Sequence, residues 1–342
     1  MRYSRLGDSG LIVSRLGLGA ATFTLGHKKL AAFSKVGAAL AEELVGIARE
    51  GGVNFFDTAD AYAGGEAEEL LGRALKPHRQ QVILASKVGN RLSGRELLEN
   101  GLSRRHIMNA IDASLRRLGT DYLDLYIAHK SDAFTPLDEQ LEAFDAVVKA
   151  GKVRYIGYSN WPAWEAATAM ALQRARGLAR FTHGQMYYSL LGRDVERDTL
   201  AMLAHHRAGL TVWSPLAYGF LAGSYTREAM AQPDNRFAQT DWLKFDRDRA
   251  FALLDVMRAM AAEAGCSMAQ LAIAWLLAMP GVSSVILGAT SPEQLHDNLG
   301  AAAVHLGAEA IARLDAVTAI TPLYPSSDWV AADAPTRKAL ER

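Results

Sequence analysis

An aspartate, a tyrosine, a lysine and a histidine stand where apolar runs end, and together they could move a proton. Asp57 closes Val53-Asn54-Phe55-Phe56-Asp57, and Lys87 closes Val82-Ile83-Leu84-Ala85-Ser86-Lys87. His129 closes Leu123-Asp124-Leu125-Tyr126-Ile127-Ala128-His129, and Tyr62 follows Asp57 by five positions in a Gly/Ala-rich loop. A free phenol has a pKa of about 10, so near neutrality it is a reluctant acid and hardly a base. A nearby ammonium favours the phenolate, and an imidazole can share or relay the proton. Lys87 and His129 would supply these effects, and Asp57 would keep Lys87 charged and oriented. Such a set suits proton delivery to a carbonyl oxygen as it becomes an alkoxide, or the reverse in alcohol oxidation. Singly, each residue has a plainer role: a helix cap for Asp57, a snorkelling Lys87, loop packing for Tyr62, an edge position for His129. Their recurrence at successive run ends favours the joint reading.

Those runs must be strands, and strand-like and helix-like stretches alternate along the chain. Strands are expected to begin near Leu16, Val53, Val82, Leu123, Val153, Arg180, Leu210 and Ser284. Helices are expected over Leu40 to Glu50, Ala67 to Leu75, Arg104 to Leu118, Leu137 to Ala150, Trp161 to Ala175, Asp194 to His206, Arg249 to Ala264 and Pro292 to Leu299. Ser103 and Thr135 read as helix starts, and Gly51, Gly119, Gly151 and Gly209 as stops. Tyr3 to Val13 reads as a hairpin around Asp8-Ser9-Gly10. Eight β-α units predict a closed parallel (β/α)8 barrel, the TIM-barrel class, with an N-terminal hairpin and extra C-terminal helices. In that fold the ends of successive strands build the active site. A doubly wound sheet would place Gly-x-Gly-x-x-Gly after its first strand, but Gly17-Leu18-Gly19 lacks the third glycine. A single domain over residues 1–342 is expected, with long loops at 22–38, 88–101 and 217–248 over the site. The third of these holds Tyr218, Phe220, Tyr225, Phe237 and Trp242, which suits an apolar pocket.

Composition narrows the function classes. The chain has 342 residues, 50% hydrophobic, with 37 basic and 37 acidic side chains and no formal net charge. No basic stripe points to nucleic acid. The N-terminus has no apolar leader, and the most apolar stretch, Leu271 to Met279, falls well short of the roughly 20 residues that cross a bilayer. A cytoplasmic protein without a membrane partner is expected. The single cysteine, Cys266, excludes an internal disulfide and reads as a small core residue on a helix. His205, His206 and His183 read as solvent-facing residues, and no metal site is expected.

At these residues the sequence resembles the aldo-keto reductases. Gly52 to Tyr62 (GVNFFDTADAY) is similar to their first signature, and Leu118 to Tyr126 (LGTDYLDLY), leading to His129, to their second. The resemblance implies a barrel that binds a nicotinamide cofactor without a dinucleotide-binding sheet, NADP(H) preferred and NAD(H) the alternative. It implies Tyr62 as acid/base, assisted by Asp57, Lys87 and His129.

Cofactor positions carry over by motif. Lys152 to Asn160 (KVRYIGYSN) resembles the segment whose Ser159 and Asn160 hold the nicotinamide carboxamide, with Gln185 sharing the task and Trp213 stacking on the ring. Trp213 to Gly219 (WSPLAYG) resembles the pyrophosphate grip, through Ser214, Pro215, Leu216 and Gly219. Gly288 to Asn298 (GATSPEQLHDN) resembles the adenosine end, through Gly288, Thr290, Gln294, Asp297 and Asn298. With Gly281 to Leu287 before it, this region is similar to the bacterial and potassium-channel β-subunit-like branch. The chain departs from its relatives in two places. The Gly288–Ser291 loop has no Lys or Arg for a 2′-phosphate, which leaves Arg236 for that role. Gly19-Ala20-Ala21 stands where larger side chains are common, so Gly19 and Ala20 would offer the nicotinamide ribose only backbone.

The implied activity is reversible hydride transfer between NADPH and an aldehyde, ketone or alcohol, with Tyr62, His129, Trp161 and Tyr218 around the substrate. A redox-sensing regulatory subunit with slow turnover is the alternative, and a Schiff-base aldolase built on Lys87 a third reading. The partner is a small carbonyl or alcohol compound, and self-association is left open.

Overall fold

In the computed structural model eight parallel strands close into a barrel, with a two-stranded antiparallel hairpin beneath it. The structure describes residues 1–26, 35–90, 97–230, 237, 243–321, 324 and 334–340. The hairpin is β1 (Tyr3–Arg5) and β2 (Ile12–Ser14). The barrel strands are β3 (Leu16–Gly19), β4 (Phe55–Asp57), β5 (Ile83–Val88), β6 (Leu123–Ala128), β7 (Val153–Ser159), β8 (Phe181–Tyr187), β9 (Gly209–Trp213) and β10 (Val282–Leu287). Each pairs with the next, and β10 closes on β3.

Around the barrel lie α1 (Ala38–Glu50), α2 (Glu66–Leu75), α3 (Arg104–Leu118), α4 (Leu137–Lys149), α5 (Ala163–Ala175), α6 (Thr199–His206), α7 (Arg247–Ala264), α8 (Met268–Ala278), α9 (Pro292–Gly300) and α10 (Ala308–Thr318). Ser103 caps α3 as the sequence predicts, its hydroxyl accepting from the His106 amide, and Gly119 ends that helix in the left-handed region.

Alternation along the strands sorts the side chains into two files. Phe55, Ile83, Ala85, Leu125, Ile127 and Ile286 pack inside the barrel, and Leu6 and Val13 of the hairpin join them from below. Their chain neighbours, among them Phe56, Leu84, Tyr126, Val285 and Leu287, pack outward with the helices, as does Tyr158 of β7. Asp57 continues the file of Phe55, Lys87 that of Ile83 and Ala85, and His129 that of Leu125 and Ile127. The inward file therefore turns from apolar to titratable at the C-terminal ends of the strands.

Three expectations need correcting, and one helix had no forecast. Gly209 does not stop a helix; Arg207, itself left-handed, ends α6. Gly209 is glycine because its strand touches the hairpin: a Cβ there would lie 2.5 Å from Ser283 Oγ and 2.7 Å from the Gly7 amide. The helix expected from Asp194 to His206 is two pieces, a 3-10 turn at Asp194–Glu196 and then α6. Helix α8 carries no amphipathic signal because it is buried nearly all round, so only its apolar run was legible. Cys266 lies between α7 and α8 rather than on a helix.

Candidate active site

Lys87 is fully buried, and its ammonium spends all three of its hydrogens. It donates to Asp57 Oδ2 at 2.5 Å, to the Thr58 carbonyl at 2.7 Å and to the Tyr62 hydroxyl at 3.2 Å. Burial opposes the charge, but Asp57 and Tyr62 outweigh it and hold the Lys87 pKa above the ordinary lysine value. A lysine so held is a poor amine nucleophile, which removes the footing of the Schiff-base reading. Asp57 Oδ1 accepts in turn from Gln185 Nε2 at 3.0 Å. The carboxylate thus has a donor on each oxygen.

Tyr62 lies in a 3-10 turn, Tyr62–Gly65, where Ala63 and Gly64 adopt the left-handed region before α2 begins. Burial of the phenol raises its pKa above 10, and the Lys87 charge opposes that rise. At neutral pH it is a protonated donor. Because its oxygen accepts from Lys87, its own hydrogen stays available for another acceptor. The His129 ring stands edge-on to the Tyr62 ring, with centroids 5.7 Å apart.

A chain of amides joins this cluster to the later strands. Asn160 Nδ2 donates to the His129 carbonyl at 3.1 Å and to Ser159 Oγ at 2.9 Å, and its Oδ1 accepts from Trp213 Nε1 at 3.0 Å. Ser159 Oγ donates to the Gln185 carbonyl at 2.7 Å. Asn160 is left-handed (φ 57°), a conformation asparagine tolerates better than most residues. The predicted Ser159, Asn160, Gln185 and Trp213 therefore meet, and Gln185 reaches farther than expected, onto the Asp57 carboxylate. Tyr187, which the sequence reading passed over, tilts against Trp213 with ring centroids 5.3 Å apart.

Beyond Trp213 a groove of about 590 Å³ runs from the end of β9 to the start of α9. Ser214, Pro215, Leu216, Tyr218 and Gly219 form one wall, and Gly288, Thr290, Gln294, Asp297 and Asn298 the other. Gly19 ends β3 beside Asp57, and the Ala20 amide donates to the Asp57 carbonyl; neither residue is in the described lining of the groove. Ser214, Ala217 and Tyr218 are all left-handed (φ 46 to 59°), an uncommon clustering for non-glycine residues. The amides of Ala217, Tyr218 and Gly219 are spent inside this turn. A backbone grip would fall to other amides of the run. Gln294 Oε1 accepts from the Thr290 amide and hydroxyl, which sets the loop before α9. Asp297 is held by Ser267 and Gln270, the capping box of α8.

Thr22 and Lys35, outside every motif, also line the groove. They flank the first long insertion, whose ends are clipped together by the Lys35 amide on the Thr22 carbonyl at 3.0 Å. The Lys in that insertion was the available signal. Arg236 and Trp242 lie outside the described residues.

Two substrate-pocket expectations change. Trp161 does not reach the mouth; it is 2% exposed and packs on Tyr158 and Phe181, in the outward file. The left-handed turn at Asn160 breaks the strand alternation and throws Trp161 to the helix side. The described aromatics of the third loop pack on one another and on α7, Phe220 against Tyr225, Phe237, Phe245 and, in the helix, Phe251. Tyr218, in contact with Phe237, and Tyr225 are the described loop aromatics that join the wall of the groove. His183 is wholly buried inside the barrel, not solvent-facing, while His205 is exposed and His206 partly so.

The model of the aldo/keto reductase family matches residues 15–319. The chain belongs to the aldo/keto reductase family. Two similar relatives carry the name "probable voltage-gated potassium channel subunit beta". The Arabidopsis thaliana protein is 36% identical over 309 residues, 88% of this chain and 91% of the relative. The Oryza sativa subsp. japonica protein is 36% identical over 332 residues, 94% of this chain and 98% of the relative. In this aldo/keto reductase the match begins at β3 and ends just after α10, so the hairpin precedes it.

Proposed function

We propose that this protein is an NADP(H)-dependent oxidoreductase that interconverts carbonyl and alcohol groups. The observation that carries the reading is the buried Lys87 ammonium, held by Asp57, donating to the Tyr62 hydroxyl oxygen at 3.2 Å. The phenol is left to donate its own hydrogen to another acceptor. Bound nicotinamide would supply the hydride. Everything else is the work of the chain. Ser159, Asn160 and Gln185 would hold the carboxamide, whose donors and acceptor suit side-chain amides and a hydroxyl. The groove, of about 590 Å³, would take the rest of the cofactor, with Gly288 and Gly219 open to close approach. Lys35 offers the cation for a phosphate that the Gly288–Ser291 loop lacks, which supports NADP(H) over NAD(H).

As negative charge builds on the substrate oxygen, Tyr62 gives up its proton and Lys87 stabilises the phenolate that remains. Asp57 keeps Lys87 charged through that change. His129, edge-on to Tyr62 at the mouth, would orient the oxygen and narrow the entry. In the reverse direction the same phenolate takes the proton from an alcohol.

A second reading follows from the relatives' names: a subunit that binds the cofactor, turns over slowly and assembles with a channel. One measurement separates the two. NADPH oxidation is followed with a panel of aldehydes and ketones for the wild type and Tyr62→Phe, alongside NADPH binding by fluorescence. Turnover that falls roughly 10²–10⁴-fold in Tyr62→Phe, with binding preserved, supports the enzyme. Equal turnover in both proteins overturns the mechanism. Tight binding with negligible wild-type turnover across the panel favours the subunit.

A further inference from the structure

A second cavity, of about 620 Å³, opens at the opposite end of the barrel from Tyr62, where the strands begin. Its walls come from the starts of β7 and β8, the last turns of α5 and α6, and the hairpin turn. Arg154, Arg174, Arg180 and Arg207 line it with His205 and His206, and Asp8 is the only carboxylate residue among its described lining. This concentration is not a by-product of a basic protein, since the chain as a whole carries no net charge. Nor are the charges all spent. Arg207 lies 3.7 Å from Asp8, and Arg154 stacks on the Tyr122 ring at 4.6 Å. Two residues beyond Arg174, Arg176 is paired with both Asp138 and Glu142. Arg174 and Arg180 have no carboxylate partner among the described residues. The cations crowd one another: burial, His205 and Arg174 together hold the His206 pKa below its ordinary value.

We propose that this cavity binds a small polyanion, a compound that presents phosphate groups or several carboxylates. Guanidinium groups meet such oxygens in pairs of parallel hydrogen bonds, and weak hydration makes arginine better suited to this than lysine. The volume falls in the range of small-molecule sites. A ligand here would touch no reacting atom. It would instead brace the seam between hairpin and barrel, where the Asp8 amide donates to the Arg207 carbonyl. Thr182, in the same lining, contacts both the Ile156 carbonyl and the His183 ring of the barrel interior. Occupancy should therefore raise the melting temperature of the protein.

The test is calorimetric titration of the full chain at low salt, with inorganic pyrophosphate in one arm and citrate in the other. Arg174→Ala/Arg180→Ala is compared with the wild type and with Gln294→Ala, which alters the groove at the other end. The double variant should bind at least one of the anions roughly tenfold more weakly. Its melting temperature without anion and its basal turnover should match the wild type, since both residues are exposed and remote from Tyr62. Gln294→Ala should leave that binding unchanged. Loss with pyrophosphate alone identifies a phosphate-bearing ligand, and loss with citrate alone a polycarboxylate. The proposal is overturned if neither anion binds the wild type, if the double variant binds both as the wild type does, or if the binding is lost in Gln294→Ala instead.

Discussion

Lys87 presents three hydrogens to three acceptors, and only one of those acceptors, Asp57, carries a charge. That asymmetry predicts what Asp57→Asn does. With the carboxylate gone, burial acts unopposed by an anion and the Lys87 pKa falls from its present raised position. The wild type keeps Lys87 charged throughout the neutral range, so its carbonyl reduction should be level there. Asp57→Asn should instead lose turnover as pH rises through the lowered lysine pKa. Breaking a buried pair from one side should also destabilise the fold by about 3–5 kcal/mol, read from urea unfolding. A pH–rate profile as level as the wild type's would refute this account of Asp57. The raised Tyr62 pKa makes a companion prediction. Alcohol oxidation needs the phenolate, so its rate should climb with pH beyond neutrality while carbonyl reduction does not. Lys35 belongs to this scale too. Lys35→Ala should raise the NADPH KM by roughly tenfold and leave the NADH KM nearly unchanged, since the lost contact is to a phosphate only NADPH carries. Equal effects on both would remove Lys35 from cofactor selection.

The elements place these residues, and one close contact between helices shows how little slack they have. At Gly72, in α2, a Cβ would lie 2.3 Å from the Leu118 carbonyl oxygen of α3, and backbone cannot swing aside as a side chain can. Gly72→Ala should cost about 1–3 kcal/mol despite its better helix propensity, a result that thermal unfolding would check. A gain in stability would show that α2 shifts freely. That shift would matter for function, because the Tyr62–Gly65 turn leads directly into α2. The same elements explain what could be read in advance. Asp57, Lys87 and His129 were legible because each extends an inward file of alternating apolar residues, a pattern local to its own strand. Trp161 was misplaced because one left-handed residue, Asn160, ends the alternation, and no pattern in the sequence marks the turn's hand. Lys35 and the Gln185 link to Asp57 depend on segments far apart in sequence meeting at the rim. Helix α8 hid because complete burial erases the periodicity on which helix recognition depends.

For the molecule as a whole, the most consequential buried group outside the proposed mechanism is His183. It sits fully buried inside the barrel, against Gly157, where a Cβ would come within 2.3 Å of its ring. Burial, with a smaller contribution from the Lys87 charge, lowers its pKa from 6.5 to about 3. The folded protein therefore binds fewer protons at this site than the unfolded chain does between those two values. Stability from this group is complete above about pH 6.5 and drains away as pH falls towards 3. A shift of that size corresponds to something on the order of 4–5 kcal/mol, a large share of an ordinary folding free energy. His183→Gln removes the titration while keeping a polar side chain of similar length. Its stability should start lower at pH 7, because the barrel packing is disturbed, but should fall less steeply between pH 6 and 4. Urea unfolding at several pH values gives the slope, and its difference from the wild type should approach one proton in the middle of that window. Parallel curves for the two proteins would mean that His183 charges without cost, and would require an acceptor at Nε2 beyond the Thr182 hydroxyl that meets Nδ1.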